Sequence, residues 1–164
     1  IPCILYNVPG RTGCSIPVSV VERLSRHPNI AGIKEASGDM SYAMKIARCV
    51  GPDFALYSGN DDITVPLMSV GGSGVISVYA NVMPAMCHQI VADFLGGNQA
   101  QAVANHLKYL QLMNDLFMEV NPIPVKTAMN LLGLNVGPMR LPLCEMSEEH
   151  AAALRRTMEE AGLL

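Results

Sequence analysis

Lysine is scarce in this chain, and one of its four lysines stands where a charge is costly to keep. Lys34 closes the apolar run Ile30-Ala31-Gly32-Ile33 just ahead of a turn at Glu35-Ala36-Ser37-Gly38, whereas Lys45, Lys108 and Lys126 fall in stretches that read as helices. An amine that sheds its proton is a nucleophile able to form a Schiff base with a ketone. From a reference near ~10.4, an unshifted lysine at neutral pH needs roughly 4 to 5 kcal/mol to deprotonate. Burial supplies part of that, and a neighbouring cation such as Arg11 helps. A solvated lysine snorkelling out of a strand end is the alternative, and position alone leaves both readings open. Glu35 follows Lys34 directly, so in a strand it points to the opposite face and need not pair with it.

Other chemistry-bearing residues collect at similar places. Tyr6 reads either as a core residue with a bonded hydroxyl or, beside a Schiff-base lysine, as a proton relay. Arg11 follows a Pro-Gly turn and is either a solvated loop residue or a guanidinium fork aimed at a substrate carboxylate. Gly59, after Ser58, either allows a tight turn or keeps a cavity free of side chain near the lysine.

The elements that must position these residues are short. Apolar runs at residues 3–6, 31–34, 54–57 and 74–78 lack polar alternation, as strands buried on both faces do, which favours a parallel sheet. They recur every roughly 20 to 28 residues, suited to βα units. A first helix is expected to be capped by Ser15, with Pro17 in its first turn, and to end at His27-Pro28. Further helices are expected over residues 41–50, with Asp39 at the positive end, 61–70, and from Pro84 to Gly96. Gly71-Gly72-Ser73-Gly74 precedes a strand and is read as a turn on the face away from the chemistry. Residues 99–118 read as one long amphipathic helix with Val103, Leu107, Leu110 and Leu116 among its apolar positions. Helices over 124–132 and after Ser147 complete the chain. The pattern predicts an α/β fold with four βα units over residues 1–97 and a helical region over 98–164. Such units suit either half of an eight-stranded barrel or part of an open doubly wound sheet. Both architectures put chemistry at the carboxyl ends of the strands.

Composition narrows the function. The chain has 164 residues, half of them hydrophobic and only 15% charged, with a net charge of −3. It carries no basic stripe for nucleic acid and no apolar run near the ~20 residues that span a bilayer, so neither nucleic acid nor membrane is an expected partner. Cys3, Cys14, Cys49, Cys87 and Cys144 form no C-x-x-C pair, which argues for reduced thiols in a cytoplasmic protein rather than a zinc or redox site. Ile1 opens directly into an apolar strand, so the chain reads as the later part of a longer protein.

The strand ends, together with Tyr6-Asn7-Val8-Pro9-Gly10-Arg11-Thr12-Gly13, Gly32-Ile33-Lys34-Glu35, Gly74-Val75-Ile76-Ser77-Val78 and Asn121-Pro122-Ile123-Pro124-Val125-Lys126, resemble the dihydrodipicolinate synthase family of pyruvate-dependent class I aldolases. The resemblance covers essentially the whole chain. It implies the second half of a (β/α)8 (TIM) barrel followed by a helical C-terminal region. It also implies an imine between Lys34 and pyruvate, a proton-relay role for Tyr6, and capture of the aspartate 4-semialdehyde carboxylate by Arg11. Gly59 and Ile76 match pocket positions near pyruvate, Ile76 through its backbone. The implied reaction makes 4-hydroxy-tetrahydrodipicolinate for lysine and diaminopimelate biosynthesis, with no metal or separate cofactor because the imine is the electron sink.

Relatives that cleave N-acetylneuraminate or 2-keto-3-deoxy sugar acids share the lysine and tyrosine, and the Arg11-Thr12-Gly13 and 121–126 segments favour the synthase. A non-catalytic half-barrel module is the remaining alternative. The resemblance implies a homotetramer as well. It also places paired threonines, a second tyrosine and the first four βα units in an N-terminal half-barrel outside this chain, so the segment alone is expected to be inactive.

Overall fold

The computed structural model describes residues 1–164 and divides into two compact units, residues 1–77 and 78–164. The first holds β1 (Cys3–Asn7), α1 (Pro9–Thr12), α2 (Val18–Leu24), β2 (Ile30–Glu35), α3 (Met40–Ala47), β3 (Ala55–Ser58), a 3-10 turn at Asp61–Ile63, α4 (Thr64–Ser69) and β4 (Gly74–Val75). Its four strands form one parallel sheet in the order β1-β2-β3-β4. The parallel sheet expected from continuous apolar runs is therefore present. Gly32 serves the sheet directly, since a β-carbon there would stand 2.5 Å from the Ala55 carbonyl oxygen of the next strand.

The core of this unit is Val21, Ile33, Ala43, Ile46, Phe54, Leu56 and Leu67, contributed by helices, strands and, for Phe54, the residue just before β3. Burial of each large aliphatic side chain contributes about 1.5–3 kcal/mol, so these residues anchor α2 and α3 to the sheet. Asp39 caps α3, its carboxylate accepting from the backbone N–H groups of Ser41 (2.8 Å) and Tyr42 (3.1 Å). Gly71 (φ +106°) and Gly74 (φ +144°) take backbone conformations that L side chains rarely adopt, at the turn leading into β4.

Several local expectations differ from the structure. Helix α2 is not capped by Ser15. Pro17 stands at the cap in an extended conformation, which moves the first helical residue to Val18, and the helix stops at Leu24, ahead of His27-Pro28. Helix α3 ends at Ala47 rather than near residue 50, and the expected helix over 61–70 is a 3-10 turn followed by α4. The fourth strand is two residues long instead of five. Its partner β3 ends at Ser58, and after Tyr57↔Gly74 and Ser58↔Val75 a further backbone bond runs from Ile76 N–H to the Ser58 carbonyl (2.8 Å).

The second unit contains a 3-10 turn at Tyr79–Asn81 and five helices: α5 (Pro84–Leu95), α6 (Gln99–Lys108), α7 (Leu110–Asp115), α8 (Ile123–Leu131) and α9 (Glu148–Glu160). Helix α5 packs on α6. The expected single helix over 99–118 breaks at Tyr109 (φ −103°, ψ 8°). The break accompanies a packing contact between the buried Tyr109 and Tyr79 rings, whose centroids lie 6.3 Å apart. The covered side of α6 also differs from the expected one: Ala102 and His106 are buried, while Val103 and Leu107, expected on the apolar face, are exposed. Ser147 caps α9 by accepting from His150 N–H, as its position suggested. No helix is long and apolar enough to cross a membrane.

Candidate active site

The carboxyl ends of the parallel strands bring together most of the residues singled out from the sequence. In the sheet register Tyr6 lies opposite Lys34, and Lys34 opposite Tyr57, so the three side chains form a row on one face. Lys34 Nζ stands 4.4 Å from the centroid of the Tyr6 ring, a cation–π distance. The amine is partly buried, and Tyr6 is half exposed at the sheet edge that β1 forms. The tyrosine is thus a neighbour of the lysine and not a core residue.

Gly59 follows β3 where the chain passes close to that lysine. A β-carbon at this position would lie 3.0 Å from Lys34 Cε and 2.5 Å from Ala36 Cβ. Its own N–H donates to the Glu35 carbonyl (2.6 Å), which draws the turn against the end of β2. The tight-turn reading of this glycine therefore holds, and the turn brings its backbone close against the stem of Lys34. Ile76 is next to this turn through its bond to Ser58. Its amide is engaged there.

Arg11 is carried by the one-turn helix α1, just past the end of β1, and is exposed. Pro9 starts that helix and Gly13 (φ +70°) ends it, the glycine N–H donating to the Pro9 carbonyl. The Pro-Gly segment expected as a turn is thus a short helical turn that holds Arg11 at the strand end.

Behind this row lies a polar layer that sequence reasoning left without a role. Asn7, Glu35 and Ser58 are the residues next along each strand, so they face the opposite side of the sheet, and all three are buried. Asn7 Nδ2 donates to Glu35 Oε2 (2.7 Å), and Ser37 N–H donates to Glu35 Oε1 (2.6 Å). Glu35 therefore turns away from Lys34, as alternation along a strand requires. Tyr42 on α3 donates its hydroxyl to the Ile16 carbonyl (2.6 Å); burial first, then the nearby Glu35 carboxylate and Cys49, push its pKa up to about 12. A polar residue directly after each of three strand-end side chains was the available signal for this layer.

A parallel α/β sheet with a lysine, a tyrosine and a shape-restricting glycine at its carboxyl ends is an enzyme-like layout, with the polar groups where loops open. The chain belongs to the dihydrodipicolinate synthetase family, whose profile matches residues 1–161. The 4-hydroxy-tetrahydrodipicolinate synthase of Clostridium perfringens (strain SM101 / Type A) is 48% identical over 164 residues, covering all of this chain and 56% of that protein. Among solved structures, the enzyme from Cyanidioschyzon merolae with lysine bound aligns at TM-score 0.95 and 43% identity, over 100% of this chain and 56% of that one. The chloride-inhibited dihydrodipicolinate synthase of Acinetobacter baumannii complexed with pyruvate aligns at TM-score 0.95 and 39% identity, with the same coverage. The chain spans about half the length of the curated relatives it matches.

Proposed function

We propose that this chain forms the catalytic half of a 4-hydroxy-tetrahydrodipicolinate synthase that condenses pyruvate with aspartate 4-semialdehyde. The observation carrying the proposal is the Lys34 amine lying over the Tyr6 ring, with Gly59 close against the lysine stem. Family membership and the pyruvate complex of the Acinetobacter baumannii relative support the choice of ketone. The synthase name of the Clostridium perfringens relative supports this reaction over the sugar-acid cleavages of related enzymes.

In this reading the neutral Lys34 amine attacks C2 of pyruvate to form a carbinolamine. Loss of the hydroxyl as water, with a proton delivered through Tyr6, leaves the protonated imine. Removal of a C3 proton sends its electron pair to the iminium nitrogen and yields the enamine. The enamine C3 then attacks the aldehyde carbon of the semialdehyde, whose oxygen takes up a proton and becomes the hydroxyl. Arg11 holds the acceptor's carboxylate, a match for its planar fork. The acceptor's amine closes the ring by displacing Lys34 from C2, which frees the lysine. Gly59 and the Ile76 carbonyl shape the pyruvate pocket. The imine supplies the electron sink, so the proposal needs no metal or separate cofactor.

We further infer that four preceding βα units complete a (β/α)8 barrel and that the protein works in the cytoplasm as a homotetramer. The half-exposed Ile4 and Tyr6 on the edge strand β1 support a neighbouring strand there. The test is borohydride reduction in the presence of pyruvate, using protein that includes the preceding units. The expected product is a single pyruvyl adduct on Lys34 that Lys34→Ala abolishes. An adduct on another lysine overturns the assignment.

A further inference from the structure

We propose that Glu35 is a positioning residue for the aldehyde acceptor, acting through Asn7 to hold the 8–16 segment and the Arg11 that it carries. This role rests on the one proposed for Arg11, and it begins from an arrangement that packing alone does not require. Glu35 and Asn7 are each only 1% exposed. Burying a carboxylate costs several kcal/mol unless hydrogen bonds offset the loss of water. Both Glu35 oxygens have such bonds, from Ser37 N–H and from Asn7 Nδ2.

The donor and acceptor pattern then runs in one direction. A carboxylate only accepts, so Asn7 must present its NH2 to Glu35. That choice turns the Asn7 Oδ1 atom toward the backbone N–H of Ile16, which donates to it at 2.9 Å. The bond joins residues nine apart and closes the segment containing Arg11 back onto the end of β1. The Ile16 carbonyl is taken by the Tyr42 hydroxyl, and the Asn7 carbonyl accepts from Ala36 N–H (2.9 Å). Both ends of the Arg11 segment are therefore tied: Asn7 to Glu35 and Ala36, which follow Lys34 in sequence, and Ile16 to Asn7 and to Tyr42. Lys34 itself lies on the other face, ordered by the ladder bonds of β2 to β1 and β3. Loss of the Glu35 carboxylate should disturb Arg11 while leaving the amine in place.

Glu35→Gln in the complete protein provides the test. The amide introduced by this substitution must point its NH2 either at that of Asn7 or at Ser37 N–H, and in each case two donors face one another. The expected result is a rise of about tenfold in KM for aspartate 4-semialdehyde, with pyruvate trapping on Lys34 within about twofold of wild type. Hydrogen exchange at the Ile16 amide should accelerate, while that at Ile33 and Leu56 should not.

The exchange variant Asn7→Asp/Glu35→Gln restores a complementary pattern, because its aspartate accepts both from the glutamine amide and from Ile16 N–H. It should return the acceptor KM toward the wild-type value, and it decides the matter if the single variant does not fold. Intact trapping with an unchanged acceptor KM overturns the proposal. So does parallel loss of trapping and acceptor binding, or an exchange variant no better than Glu35→Gln. Failure of the wild-type protein to trap pyruvate on Lys34 instead overturns the Schiff-base reading.

Discussion

A methyl group at Gly59 would have nowhere to go: 2.5 Å to Ala36 Cβ and 3.0 Å to Lys34 Cε leave no ordinary contact distance. Gly59→Ala is therefore expected to push the lysine stem aside and to slow pyruvate trapping by about tenfold or more, because an ångström of misplacement at a reacting atom has that order of effect. Trapping kinetics with wild type as reference measure this, and an unchanged rate would remove Gly59 from the site. Tyr42 makes a prediction about pH. Its folded-state pKa of about 12 lies above the ordinary value of 10.0, so the folded protein keeps a proton that the unfolded chain releases. The resulting stability is fully present below about pH 10 and is lost as pH rises through about 12. Tyr42 is partly exposed, so about 1 kcal/mol survives solvent screening. Urea midpoints of wild type and Tyr42→Phe should therefore draw together between pH 9 and about pH 11.5. Lys34, Tyr6 and Gly59 were legible as candidates because strand ends collect chemistry. Asn7 and Glu35 were not, because a polar residue one step further along a strand has no meaning until its partners are known.

Whole elements add a different kind of constraint. The parallel strands β1 to β3 were visible as unbroken apolar runs, although β1 is not covered on both faces in this structure, where Ile4 and Tyr6 are half exposed. The length of β4 was not visible, because it depends on where β3 stops, and hydrophobicity alone continues to Val78. The long helix over 99–118 is interrupted although its apolar pattern runs on without a break: it turns at Tyr109, whose ring packs against Tyr79, a partner that lies 30 residues away in sequence. Helix caps lie between these cases. Ser147 and Asp39 act where their positions suggested, whereas Ser15 does not, because the proline at position 17 displaces the helix start. Asp39→Ala removes two backbone acceptor bonds at the α3 start and should destabilise the protein by about 1 kcal/mol. Differential scanning calorimetry should register a Tm lower by about 2–4 °C for a domain of this size class, and an unchanged Tm would mean the cap is dispensable. The same substitution should leave the borohydride adduct on Lys34.

At the scale of the molecule, the exposed outer edge of β1 carries the main prediction. Ile4 and Tyr6 stand on an unpaired strand edge, and the proposed site uses one of them. Residues 1–164 produced alone are therefore expected to show no synthase turnover, while addition of the preceding βα units in one chain restores it. A coupled assay for the condensation product distinguishes the two, and robust turnover by the isolated segment would contradict the half-barrel reading. The sequence by itself determined the α/β class, the parallel strands and the family, and marked Lys34 and Tyr6 as candidates, because these follow from local hydrophobicity and short motifs. Only the tertiary structure decided that Tyr6 packs beside the amine, that Gly59 guards its volume, and that Glu35 reaches Asn7 across 28 residues to close the Arg11 segment. Those facts depend on strand register, which sets the facing of every side chain and is fixed by how the helices and strands pack together.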